Sequence, residues 1–65
     1  MNIDEIKEGK TVVITKCDDL RLLENGFVPG TKLQIYRKVY GIISVTIRGT
    51  IIALRKDEYE KITVE

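Results

Sequence analysis

The fold is decided by residues 22–35, which read LLENGFVPGTKLQI. Gly26 stands where a helix end needs a left-handed residue, because glycine has no Cβ to clash there. Pro29 and Gly30 suit the two central positions of a type II turn, since proline fixes φ and glycine accepts a positive φ. The segment therefore predicts a helix end, a tight turn and the start of a strand.

A short helix is predicted before this turn, over about residues 19–25. Asp18 or Asp19 can cap it by accepting a hydrogen bond from a free N–H of the first turn. A helix of fewer than two turns does not survive alone, so packing must hold it in place. The spacing i, i+3 and i+7 predicts one buried face, made of Leu20, Leu23 and Phe27.

Alternating and β-rich stretches predict five short strands. Tyr40-Gly41 and Gly49 interrupt the alternation and predict tight turns between strands. Single helical turns are expected at residues 3–9 and 56–59. The register of the fourth strand is ambiguous because all its central residues are apolar. Alternation after the Pro29-Gly30 turn places four side chains on one face: Leu33, Ile35, Arg37 and Val39. The predicted strands cover residues 10–15, 31–38, 43–48, 51–54 and 62–64.

These elements predict a mostly β fold, with residues 1–65 forming a single domain. Five short strands and one short helix leave few ways to build a core. A flat sheet would expose one face and both edges, whereas closing the strands into a small barrel buries the Ile, Val and Leu face. We therefore predict a small SH3-like β-barrel. An OB-like arrangement is less favoured because it usually needs more chain.

The composition predicts a small soluble protein of the cytoplasm. Eleven basic and ten acidic residues leave a formal charge of +1, whereas nucleic-acid binders usually carry a basic excess on one face. A single cysteine cannot form an intramolecular disulfide, which fits a reducing compartment. No apolar run approaches the roughly 20 residues that span a bilayer. A local basic patch remains an alternative, since five basic residues are close in sequence: Arg37, Lys38, Arg48, Arg55 and Lys56.

The residue types that carry most catalytic and metal chemistry are absent or isolated. The chain has no histidine, the commonest general base and metal ligand. Cys17 lacks a second cysteine to complete a zinc or iron site, and Asp18 and Asp19 supply too few oxygens for a hard metal. The glycines fall at separate turns and form no phosphate-binding loop. We therefore predict no catalytic residue, no metal site, no cofactor and no enzyme.

What remains is binding through a surface, and the loop tip at residues 40–43 is the first candidate. Tyr40 and Ile42 fall on the side opposite Ile43, so we expect them to be exposed beside a turn. Exposed apolar groups of this kind can mark a contact with another protein, or can fold back over the open end of the barrel. Tyr36 beside Lys38 could instead stack on a base, as aromatic residues do in single-strand binders.

Two blocks of sequence, in this order and spacing, resemble the FeoA family. The first contains Arg21-Leu22, followed by residues 26–31, which read GFVPGT. The second is the run of residues 52–55, which read IALR. The resemblance extends from residues 6–9 to the last predicted strand. It implies an SH3-like fold shared with the C-terminal domain of some metal-dependent repressors.

The resemblance implies a non-enzymatic accessory protein of bacterial ferrous iron transport. Its implied partner is the cytoplasmic part of FeoB, the membrane GTPase that carries Fe(II). We expect the contact regions to be the helix surface at Arg21 and Leu22 and the loop at Tyr40 and Ile42. Two alternatives remain, a small-barrel nucleic-acid binder and a metal-sensing relative of the repressor domain.

Overall fold

A single antiparallel sheet carries the fold. The computed structural model describes every residue from Met1 to Glu65. In chain order the elements are a 3-10 turn (Ile3–Glu5), β1 (Thr11–Cys17), α1 (Leu20–Glu24), β2 (Lys32–Val39), β3 (Ile42–Ile47), β4 (Thr50–Leu54), α2 (Lys56–Tyr59) and β5 (Ile62–Val64). The strands lie in the order β4-β3-β2-β1-β5, and all neighbours are antiparallel.

The mostly β class and the SH3-like fold predicted from the sequence are confirmed. The core contains 16 buried side chains, and all of them are apolar. Every strand, both helices and the 3-10 turn contribute to it, so the short helices are held by packing as expected. Ile3 and Ile6, the apolar pair of the turn predicted at residues 3–9, are both buried. Neither helix is long and apolar enough to cross a membrane.

The end of α1 is closed by the left-handed Gly26. This residue has a φ of +101°, and its N–H donates to the Leu23 carbonyl at 3.1 Å. The Phe27 N–H donates to the Leu22 carbonyl at 2.9 Å, so the two bonds complete a Schellman motif. Leu22 and Phe27 are both buried in the core, as the apolar pair of this motif usually is. The helix end predicted at Gly26 is confirmed.

The predicted turn at Pro29 and Gly30 is present and fastens the chain to β1. The Thr31 N–H donates to the Val28 carbonyl at 3.1 Å, and Gly30 has a φ of +93°, as a type II turn requires. The Gly30 N–H also donates to the Ile14 carbonyl at 2.7 Å, and the Ile14 N–H donates to the Thr31 carbonyl at 2.9 Å. The turn therefore sets where β2 begins beside β1.

The strict alternation predicted along β2 is wrong beyond Ile35. The β2–β3 register shifts between Ile35 and Arg37, which leaves Tyr36 as the extra residue of a bulge. Because side chains alternate, one extra residue reverses the sides of all those that follow. Arg37 and Val39, predicted on the face of Leu33 and Ile35, are therefore exposed while Leu33 and Ile35 are buried.

Two-residue loops join β2 to β3 and β3 to β4. Tyr40 and Gly41 have φ values of 50° and 77°, and Arg48 and Gly49 have values of 51° and 77°. Positive φ at both central positions is the type I′ geometry, whose twist matches that of the flanking strands. The tight turns predicted at Tyr40-Gly41 and at Gly49 are confirmed.

The second hairpin also settles the register of β4. Thr50 pairs with Ile47 next to the loop, so Ile52 and Leu54 fall on the inner side of the sheet. Leu54 is buried, whereas Ile51 on the outer side is exposed. The apolar sequence did not show which residues of β4 face the core. The length of the loop decides this, because one more loop residue would move every β4 side chain to the other face of the sheet.

Replacing Gly30 tests the turn. A Cβ on Gly30 would meet no atom within 4 Å, so a substitution there acts through the backbone conformation alone. We expect Gly30→Val to lower the free energy of unfolding by about 1–3 kcal/mol, because a β-branched residue resists a positive φ. Gly30→Asn should cost less, since asparagine tolerates this region better. Urea denaturation measures both, and wild-type stability in Gly30→Val would contradict the turn.

Candidate protein-contact surface

Three exposed apolar residues lie together at the tip of the β2–β3 hairpin. We call Val39, Tyr40 and Ile42 the hairpin patch. Val39 and Ile42 form the last pair of the ladder before the loop, so both occupy the outer side of the sheet. The neighbouring Ile43 is buried, and alternation along the strand explains why Ile42 is not. The predicted exposure of Tyr40 and Ile42 is confirmed.

Tyr40 occupies an unfavourable position for its residue type. It is 98% exposed, and its φ of 50° lies in the left-handed region that bulky residues avoid. A residue with a Cβ pays about 1–2 kcal/mol there, and the pair that this turn prefers is Asn-Gly. An almost fully exposed side chain gains little from packing in return. The requirements of folding therefore do not account for a tyrosine at residue 40.

The corresponding position of the β3–β4 hairpin provides a contrast. Arg48 has nearly the same φ, 51°, and also precedes a glycine. Its side chain runs past the end of α1, where Cδ and Nε lie 3.7 Å from the place that a Cβ on Gly26 would occupy. Arg48 therefore makes a contact within the molecule, whereas Tyr40 extends into solvent.

The prediction that Leu22 is a contact residue is wrong. Its side chain is only 4% exposed and belongs to the core, whereas Leu20, predicted to be buried, is 71% exposed. Of the three residues predicted on the buried face, Leu23 packs against the core and Phe27 is fully buried, so the prediction fails only at Leu20. Because α1 ends at Glu24, Phe27 lies beyond the helix and reaches the core through the turn at Gly26. The buried residue of α1 is therefore Leu22, whose carbonyl accepts the hydrogen bond from Phe27.

Arg21, the other predicted contact residue of α1, is exposed and lines a shallow polar depression. The depression has a volume of 130 Å³, and its other lining residues are Arg55, Asp57 and Glu58. Ligand pockets usually measure roughly 300–1,000 Å³ and are largely apolar. This site therefore offers charged groups at a surface and does not enclose a small molecule.

Arg55 connects this depression to the hairpin patch. Leu54 pairs with Ile43 in the β3–β4 ladder, so Arg55, which follows Leu54, lies next to the position of Ile42, which precedes Ile43. An apolar tip thus borders on a charged region that also contains Arg21. In the sequence, Arg55 belongs to the run at residues 52–55 and to a possible basic patch. Its place beside the hairpin patch is visible only once the strands are paired.

Val39 was a further residue of this surface that the sequence did not indicate. Its exposure follows from the bulge at Tyr36, which reverses the sides of the residues after it. The one available signal is that strict alternation would place the charged Arg37 on the buried face, which is unfavourable without a partner. That conflict indicates an irregularity somewhere in β2, but it does not show where.

Asp19 caps α1 beside Arg21. One oxygen of its carboxylate accepts from the Arg21 N–H at 2.9 Å and from the Leu22 N–H at 3.2 Å. Lys61 Nζ lies 3.7 Å from the other oxygen. The hydrogen bond from Leu22, helped by the one from Arg21 and by the charge of Lys61, lowers the pKa of Asp19 from its usual 3.8. Of the two aspartates predicted as caps, Asp19 is the one that caps α1.

The basic residues grouped by the sequence do not form one free basic face. Lys38 Nζ donates to the Asp4 carbonyl at 2.8 Å, and the Lys38 backbone N–H donates to the Glu8 carboxylate at 2.7 Å. Lys38 therefore holds the N-terminal turn against β2, and Arg48 extends over the end of α1. A nucleic-acid binder needs a continuous basic surface, so this arrangement does not favour that alternative.

The possible metal ligands are scattered. Cys17 is buried at the end of β1, and its Sγ donates to the Asp19 carbonyl at 3.7 Å. Asp18 lies 3.8 Å from Lys16 Nζ in an exposed ion pair. No three Cys, Asp or Glu side chains are grouped so that they could hold a metal ion.

Comparison with known proteins indicates one family. The chain matches the family model described as FeoA domain over residues 1–65. Among solved structures, it is similar to the solution NMR structure of the FeoA protein from Chlorobium tepidum, with 30% sequence identity and a TM-score of 0.86. That match covers 100% of this chain and 69% of the other. No curated protein matches the chain.

Truncating the two leucines of α1 tests which of them is buried. We expect Leu22→Ala to lower the free energy of unfolding by about 2–5 kcal/mol, because it leaves a cavity in the core. Leu20→Ala should change it by less than about 0.5 kcal/mol, because the side chain is exposed. Urea denaturation of both variants measures the difference. Equal losses would contradict the assignment of the buried face.

The cap at Asp19 predicts an acid-sensitive stability. A lowered pKa in the folded state stabilises the fold above the unfolded-state pKa of 3.8, and this stabilisation is lost as the pH falls through the folded-state pKa. Asp19→Asn keeps a capping oxygen but no charge. We expect it to be less stable than wild type near neutral pH, with the difference shrinking in acid. Thermal unfolding over a pH series measures this, and a pH-independent difference would contradict it.

Proposed function

The chain belongs to the FeoA family, and we propose that it acts by binding the cytoplasmic part of FeoB, the membrane GTPase of ferrous iron uptake. Family membership gives the chain a role in ferrous iron transport. The family is an accessory domain of that process and not a catalytic one. The proposal adds the partner and the place of action, which is the cytoplasmic side of the membrane.

One observation supports the hairpin patch as the contact surface: Tyr40 is an exposed aromatic residue held in a left-handed conformation. Residues kept in conformations that cost folding free energy cluster at functional sites. Tyrosine is enriched among the residues that dominate binding energy at protein interfaces, because it buries a large rigid side chain at a low entropy cost. We infer that Tyr40 is the anchor of the interface.

The surroundings of Tyr40 suit a contact between proteins. Val39 and Ile42 extend the apolar area beside it, and Arg55 and Arg21 add charged groups at its border. An apolar centre with a polar rim is the usual anatomy of an interface, where arginine is enriched together with aromatic residues. Asp57 and Glu58 line the same depression, so the complementary surface on FeoB would be an apolar recess bordered by charged side chains of both signs.

The proposed mechanism is a shift in the conformational population of FeoB. A bound protein changes such an equilibrium only by as much as it binds one conformation more tightly than the other. The hairpin tip is suited to this task because its short type I′ loop is already ordered, so little conformational entropy is lost on binding. In this proposal GTP hydrolysis and iron movement belong to FeoB, and the chain contributes binding free energy.

Tyr40→Asn separates binding from folding. Asparagine suits the left-handed position before Gly41, so we expect this variant to be more stable than wild type by about 0.5–1 kcal/mol. The same variant should bind the purified cytoplasmic part of FeoB at least about tenfold more weakly, because it lacks the aromatic anchor. Urea denaturation and isothermal titration calorimetry measure the two effects on one preparation.

Tyr36→Ser is the matched control for this experiment. Tyr36 is another exposed tyrosine, but it lies within β2, at the bulge and outside the hairpin patch. We expect wild-type affinity from Tyr36→Ser and a loss at least as large as that of Tyr40→Asn from the double variant Tyr40→Ser/Ile42→Ser. Wild-type affinity in both Tyr40 variants would exclude the hairpin patch. A wild-type chain that does not bind FeoB would contradict the partnership itself.

A further inference from the structure

One edge of the sheet is covered and the other is open. The β5 edge is covered by the N-terminus: the Met1 ammonium group donates to the Val64 carbonyl at 2.8 Å, and the Val64 N–H donates to the Met1 carbonyl at 2.7 Å. Asn2 bridges to Thr63 on the same edge. At the other edge of the sheet lies β4, and no segment is hydrogen-bonded along its outer side.

The free backbone groups of β4 belong to Ile51 and Ala53. Thr50 flanks the two-residue loop and therefore forms a hydrogen-bonded pair with β3. Because such pairs alternate along an antiparallel ladder, Ile52 and Leu54 also bond to β3. The N–H and C=O groups of Ile51 and Ala53 then point away from the sheet. They make no hydrogen bond with a loop, a helix or a side chain.

The β4 strand lacks the features by which proteins block an exposed edge. Its five residues include no charge and no proline, and its ladder with β3 has no register shift. Charged side chains, proline and bulges are the usual protections. Ile51, 56% exposed, adds an apolar side chain to the outer face. An open, regular and apolar edge of this kind is a template for another strand.

We propose that the β4 edge takes up one extended strand of a partner protein, apolar at alternate positions and acidic at its ends. Two free donor and acceptor pairs, spaced two residues apart at Ile51 and Ala53, match the backbone of an added strand. The side chains of these two residues line the outer face, where alternate apolar residues of the added strand would pack against them.

The charges at the ends of β4 specify the ends of the added strand. Arg48 precedes the strand, and Arg55 and Lys56 follow it. None of the three forms a salt bridge within the molecule, where the ion pairs are Lys16–Asp18 and Lys61–Asp19. Arg48 packs over the end of α1 through van der Waals contacts, so its charge, like those of Arg55 and Lys56, is not paired with a carboxylate. These unpaired charges favour acidic residues on either side of an apolar strand.

The same charges disfavour a second copy of this chain as the occupant. Two β4 strands paired antiparallel through Ile51 and Ala53 would bring the end of each copy that carries Arg48 towards the end of the other that carries Arg55 and Lys56. Like charges brought together in this way repel each other. A strand with acidic ends replaces both repulsions by attractions.

The identity of the protein that carries the added strand rests on the proposed function, in which the partner is FeoB. The β4 edge ends at Leu54, which pairs with Ile43, the residue that follows Ile42 of the hairpin patch. One partner can therefore place a strand on β4 and receive Tyr40 at the same time. The edge itself can be tested without that partner.

Amide NMR of the full chain with a peptide tests the edge directly. The probe is an acetylated and amidated peptide in which three valines alternate with two threonines between pairs of glutamates. We expect the amide signals of Ile51 and Ala53 to shift, and their exchange with water to slow, as hydrogen bonds form. Unchanged signals at both amides would overturn the proposal. Concentration-dependent shifts there without peptide would also overturn it, since they would indicate a second copy.

Two pairs of variants locate the binding. Ala53→Pro removes an N–H that points outward, and Ala53→Ser is the matched control that keeps it. The proline variant should bind the peptide about tenfold more weakly, because one hydrogen bond is lost. Ile51→Glu changes an exposed side chain and repels the acidic probe, and Thr63→Glu on the covered β5 edge is its control. If Ala53→Pro does not fold, the comparison of Ile51→Glu with Thr63→Glu decides whether the peptide binds at β4. Equal affinities within the pairs that fold would overturn the proposal.

Binding to the cytoplasmic part of FeoB separates this inference from the proposed function. Competition between the peptide and FeoB for the chain would support both. A chain that binds the peptide at β4 but does not bind FeoB supports the edge and contradicts the proposed partner. Equal affinity of Ala53→Pro and Ala53→Ser for FeoB would overturn β4 as the site and leave the partnership intact.

Discussion

The pair of hydrogen bonds between the Pro29-Gly30 turn and β1 is the interaction on which the rest of the structure depends. Gly30 donates to the Ile14 carbonyl, and Ile14 donates to the Thr31 carbonyl, so the start of β2 is fixed beside β1. A slip of one residue would turn Leu33 and Ile35 away from the core. Because β2 in turn positions β3 and β4, the orientation of both hairpins follows from this turn.

The two candidate binding features are places where the molecule departs from what stability alone favours. Tyr40 holds a bulky side chain at a left-handed position, and β4 leaves an apolar edge uncovered. The corresponding features elsewhere are compatible with stability, since Arg48 contacts the end of α1 and the N-terminus covers β5. Local conflicts with foldability are expected at functional sites. Their position at adjoining ends of β3 and β4 argues for one binding surface.

The sequence predicted the turns well because each depends on a few adjacent residues. Gly26 and the Pro29-Gly30 turn have the conformations expected of them, and the alternation in β3 correctly predicted that Ile42 is exposed. The burial of Leu23 and Phe27 was predicted correctly, whereas Leu20 and Leu22 were mispredicted, because a helix of five residues is too short for periodicity to decide its buried face. The bulge at Tyr36 and the open edge of β4 could not be predicted, since both arise from strand pairing between distant parts of the chain.

The most direct test of a single binding surface is the amide footprint of the cytoplasmic part of FeoB on the isotope-labelled chain. We expect the shifted amides to include residues 39–42 at the hairpin tip and residues 51–54 along β4. Amides on β1, β5 and the N-terminal turn should be unaffected. A footprint centred on β1 and β5, with the signals of Tyr40 and Ala53 unchanged, would contradict this account.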